Sequence, residues 1–168
     1  MESSSTKTIK KGGITKKAAP RKTTRSKTPA KSLNFIMDEV QKNYVNENPH
    51  GKSIGFNSLV AIKYNVHTAL IFNMMIFWYL TNIKNDRNYT DGFNWTFNSV
   101  ASIRKSHPYL SQKIIGSSIH SLLSDGLLIK ATKNYNAHGY DKTSWYRIDE
   151  DKVIGVFNIG IMDILNPK

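Results

Sequence analysis

Residues 66–83 read Val-His-Thr-Ala-Leu-Ile-Phe-Asn-Met-Met-Ile-Phe-Trp-Tyr-Leu-Thr-Asn-Ile, and no other stretch limits the fold as much. At helical spacing this segment is apolar on nearly every face, and Asn65 stands before it as a cap. A helix of that kind either runs through the centre of a core or packs a second subunit as well, so a homodimer is one arrangement the sequence allows. Its methionines and aromatic rings are the material of core packing rather than of a cofactor pocket. The apolar run 69–80, broken by Asn73, is shorter than the ~20 residues that span a bilayer. The expectation is a soluble, cytoplasmic protein with no membrane partner.

Other elements gather around this helix. Leu33, Ile36, Met37, Val40 and Tyr44 recur at helical spacing over 33–46, with Ser32 as a cap and Asn48-Pro49 as a stop. Residues 51–58 read as irregular, and 59–65 as a short helical start. A polar stretch, 85–94, carries the turn signal Asp91-Gly92, and 93–97 alternates as a strand. Asn98 or Ser99 caps a helix over 99–106 with Val100 and Ile103 inward, and His107-Pro108 ends it. Tyr109 and Leu110 make a turn, Ser111 caps a helix over 112–124, and Gly126 suits the left-handed position that follows. Strands over 127–132 and 143–148 flank a polar connection, 133–142. Two strands with a long loop, directly after two helices joined by a tight turn, are the pattern of a wing. The predicted class is therefore α+β, a winged helix-turn-helix with a small antiparallel wing. Its parts are a tail over 1–32, a lead-in helix in 33–50, the winged domain over 51–150, and an extension, 151–168, of mixed strand or helix character.

The net charge of +12 is spread unevenly. Residues 1–32 hold ten Lys and Arg against the single acid Glu2, and only Ile9 and Ile14 are sizeable apolar side chains. This composition predicts a disordered basic tail. Lys10, Lys11, Lys16, Lys17, Arg21, Lys22, Arg25, Lys27 and Lys31 form a polycation that displaces counterions from a phosphate backbone without reading sequence. A solubilising tail or a membrane-surface role would use the same charge, but no aromatic or leucine is present to insert into lipid.

The helix 112–124 has two faces. Ile115, Ile119, Leu122 and Leu123 make the buried one. Gln112, Lys113, Gly116, Ser117 and His120, with the cap Ser111, make the other, which holds no acid and has little bulk at its centre. A helix entering the major groove uses such residues near its N-terminus, where Gln pairs with adenine and Lys with guanine or phosphate. The wing offers Lys130, Lys133, Asn134, Tyr135, Asn136, His138, Tyr140 and Lys142, with Asp141 its one acid. Arg104, Lys105 and His107 precede the turn and face the flanking backbone. An ordinary solvated face and hairpin would have similar composition.

Four stretches carry a resemblance. These are Trp95-Thr96-Phe97-Asn98-Ser99-Val100, His107-Pro108-Tyr109-Leu110-Ser111-Gln112, the run from Ile119 through Asp125-Gly126-Leu127 to Ile129, and Asn134 through Trp145-Tyr146-Arg147-Ile148. Over 54–149 the chain resembles the winged-helix domain of phage and plasmid replication-initiation proteins and related phage regulators. The resemblance implies contact with double-stranded DNA in the nucleoid, at an origin or a promoter, and replication or transcription proteins as partners.

Catalysis finds little support. No cysteine is present, the five histidines lack metal-ligand spacing, and no phosphate-binding glycine motif occurs. The expectation is no enzyme, no metal and no cofactor. Two alternatives to a site-specific DNA binder are a protein that coats DNA without reading it, and a winged-helix interaction module that has lost DNA binding.

Overall fold

The computed structural model describes residues 37–133, 135 and 143–166, all within the second of two units, Ile36–Lys168. The basic tail 1–32, Ser32, and the first positions of the lead-in segment lie outside the described residues.

Helix α1 spans Glu39–Glu47 and is capped by Asp38, so Ser32 is not its cap and the helix begins six residues later than its apolar spacing suggested. The reason is a reciprocal capping box: Asp38 accepts from the Gln41 N–H while the Gln41 side chain accepts from the Asp38 N–H. After an irregular stretch, α2 (Ser58–Lys63) is capped by Asn57 and α3 (Val66–Lys84) by Asn65, whose side chain accepts from the Thr68 N–H at 2.8 Å. By length and composition α3 is apolar enough to cross a bilayer. In the fold, however, Thr68, Ala69, Leu70, Ile71, Phe72, Met75, Ile76, Tyr79 and Asn82 are buried along it, which makes it the central core helix.

The polar stretch after α3 contains a hairpin, β1 (Tyr89–Thr90) against β2 (Phe93–Asn94). Asp91 and Gly92 form its turn, both at positive φ (51° and 82°), as a two-residue hairpin turn demands. The single strand expected over 93–97 is broken at Trp95, because its two halves take different partners. Phe93–Asn94 pairs within the hairpin, whereas β3 (Thr96–Phe97) pairs with β5 (Trp145–Ile148).

Helix α4 (Val100–Ser106) is capped by Ser99, and α5 (Gln112–Ser124) by Ser111, as the spacing predicted. Gly126 follows α5 at φ 75°. β4 (Leu128–Lys130) completes an antiparallel sheet of order β3-β5-β4. The inner positions Thr96, Leu128, Tyr146 and Ile148 are buried against the helices.

The C-terminal stretch is two helices, α6 (Glu150–Phe157), capped by Asp149 and stopped by Asn158 in the left-handed region, and α7 (Ile161–Leu165). Val153, Ile161 and Ile164 enter the same core as α3 and α5. Tyr79 on α3 donates to Glu150 at 3.1 Å. Burial, with the Glu150 carboxylate beside it, pushes the Tyr79 phenol up to about 12.

Candidate nucleic-acid interface

The packing of α5 against α3 fixes which of its side chains face outward. Ile115, Ile119 and Leu122 are buried, and so is Ser118, which accepts at 3.2 Å from the Thr68 hydroxyl on α3. Leu123 is half-buried. At the C-terminal end Asp125 accepts from the Tyr64 hydroxyl at 2.7 Å and pairs with Lys63 at 3.2 Å, and these two contacts hold its carboxyl below its ordinary range. Helix α5 is thus anchored along one side and at its C-terminal end.

The outward side is the one picked out from the sequence. Gln112, Lys113, Ser117 and His120 are exposed and Gly116 lies between them. The first turn contains no acid. Ser111 accepts from the Ile114 N–H at 3.2 Å and Ser117 donates to the Ile114 carbonyl at 3.0 Å. The uncapped amides of the first turn add partial positive charge beside Lys113. A Cβ built at Gly116 would meet no atom within 4 Å, so nothing in this fold requires a glycine there.

The turn before α5 is closed by Leu110 N–H donating to the His107 carbonyl at 3.0 Å, with Leu110 buried beneath it. His107 is only 6% exposed, and its Nδ1 has no partner among the described residues. Burial holds its pKa below the ordinary histidine value of 6.5. Between that depressed value and 6.5 the unfolded chain binds more protons than the folded one, so stability rises with pH through this window and is lost as pH falls through it. Urea midpoints at about pH 5 and about pH 7 should therefore differ less in His107→Gln than in the parent.

The other predicted contacts fall into three groups. Lys105 and Lys130 are exposed. Arg104 is paired with Asp38, and α1 is further tied by Gln41 donating to the Pro108 carbonyl at 3.1 Å. Gln41 and then Arg104 hold the Asp38 carboxyl below its ordinary range. Lys133 lies 3.1 Å from Asp91, and the Tyr135 hydroxyl donates to the same carboxylate at 2.7 Å. Asn134, Asn136, His138, Tyr140 and Lys142 lie outside the described residues, as do the tail cations from Lys10 to Lys31.

Two acids therefore stand next to predicted phosphate contacts, and sequence reading placed neither. Signals for both were present: Asp38 with Gln41 is a capping-box spacing, and Asp91-Gly92 between short apolar pairs is a hairpin signature. Neither signal says which distant cation the acid will meet. No protein-family model, curated protein or solved structure gives a significant match to this chain.

Proposed function

We propose that this chain binds double-stranded DNA through a winged helix-turn-helix, with α5 entering the major groove and the basic tail adding backbone affinity. One observation carries the reading: the outward face of α5, anchored from behind, is acid-free, hydrogen-bonding and lean at its centre. The order α3–β3–α4–α5–β4–β5 with a β3-β5-β4 sheet supports it, since a tight turn precedes α5 and an antiparallel strand pair follows it, the order such a domain needs. The work suited to such a protein is initiation at a replication origin or regulation at a promoter, in line with the resemblance to phage and plasmid initiators.

Selection of bound duplexes from a random pool tests this directly. Full-length protein should enrich one site, preferred over bulk DNA by ~10³-fold or more. The same site should be enriched when the tail lysines and arginines are neutralised. A flat preference across sequences would sink the site-specific reading and favour a DNA-coating protein.

Gly116 gives a second test in which two measurements move in opposite directions. Alanine is favoured over glycine inside a helix by roughly 0.5–1 kcal/mol, and the fold has room for the methyl group. Gly116→Ala is expected to raise the urea midpoint while weakening duplex binding in a titration. Unchanged affinity would mean that α5 does not approach a groove floor at this point.

A further inference from the structure

A cleft of about 390 Å³ opens among the C-terminal part of α3, the segment after it, β3 and α4, and no α5 residue lines it. Trp78 and Phe97 line it and are 45% and 49% exposed. Each ring contacts another: Trp78 stands edge-on to Phe77 at 5.3 Å, and Phe97 packs on Trp145 at 4.9 Å. Arg87, also in the lining, is exposed and forms no ion pair among the described residues. Asn82 and Asn98 each commit their NH₂ to the protein, to the Trp95 carbonyl at 2.9 Å and the Thr96 hydroxyl at 3.3 Å. Both asparagines line the cleft, and an amide whose NH₂ is committed to the protein has its oxygen left to accept. No carboxylate lines it among the described residues.

We propose that this cleft takes an unpaired base of single-stranded nucleic acid. Two exposed rings supply π-faces for stacking, which every base can use. Fixed amide acceptors match the imino or amino N–H groups on a base edge, and a free guanidinium matches the adjoining phosphate. Bases inside a duplex cannot reach such a pocket, so the ligand is a strand end, a loop or a melted segment. The surface is separate from α5, and the inference holds or fails independently of duplex recognition.

The test uses the full-length protein, a thymidine oligonucleotide of about ten nucleotides, and an abasic strand of the same length and phosphate number. Anisotropy reports affinity and tryptophan emission reports stacking. The thymidine strand should bind more tightly than the abasic strand and quench emission. Trp78→Ala should lose roughly tenfold or more of that affinity, Phe97→Leu should fall in the same direction, and Trp78→Phe should stay near the parent. Duplex affinity, unchanged in all three, serves as the control for folding. A Gln112→Ala, Lys113→Ala double variant should keep single-strand binding even where duplex binding is lost. Equal binding of the thymidine and abasic strands, or full retention in both Trp78→Ala and Phe97→Leu, would overturn the proposal. A uridine arm separates RNA from DNA as the source of the strand.

Discussion

Replacing Gln112 and Lys113 together by alanine is expected to weaken binding to the selected duplex by about 30-fold or more, since each base contact is worth ~1–3 kcal/mol. Both side chains are exposed in the first turn of α5, and neither is a core residue. The urea midpoint should therefore stay close to the parent value. The loss should also depend on sequence if, as proposed, Gln112 meets a base edge rather than a phosphate. Lys130→Ala, on the exposed end of β4, is the contrast: it should weaken all duplexes alike and reduce the salt slope by about one. If the double variant binds the selected site as well as the parent does, α5 is not the reading element. Another surface of the chain would then do the reading.

The elements that were legible in the sequence are those whose signals are local. Ser111, Asn65 and Gly126 sit where a cap or a left-handed residue must sit, and the helices they bound follow the expected limits. The outward face of α5 was legible for the same reason, since periodicity alone separates it from Ile115, Ile119 and Leu122. What could not be read depends on partners far away in the chain. Arg104 looked like a free cation until the fold brought it to Asp38, 66 positions earlier. Lys133 and Tyr135 converge on Asp91 over 42 and 44 positions. The split of 93–97 into two strands follows from a partner, β5, that lies about fifty residues on. Helices α6 and α7 were obscure because each is short and places only one or two side chains in the core. Ser118 was the least visible of all. A serine on the buried side of α5 is explained only by Thr68, to which it is hydrogen-bonded.

A second large effect is expected at the centre of α3. Phe72 is fully buried, at 0% exposure, in the cluster that joins α3, α5, the sheet and α7. Phe72→Ala should cost about 3–5 kcal/mol, as the ring's transfer energy is lost and the cavity closes only in part. Against a total stability of ~5–15 kcal/mol for a small domain, that leaves a marginal fold, with an early melt and a lowered urea midpoint. Phe77, one and a half turns further along, is 49% exposed and supplies the comparison. A ring half in water loses less on truncation, so Phe77→Ala should cost about 1 kcal/mol, independent of protein concentration. A Phe77→Ala cost matching that of Phe72→Ala, and growing with concentration, would mean that a second copy covers this face. The two alanine variants, measured by urea denaturation at two protein concentrations, therefore separate the inner side of α3 from its outer side. They also decide between a core helix that is merely apolar all round and one that makes a homodimer.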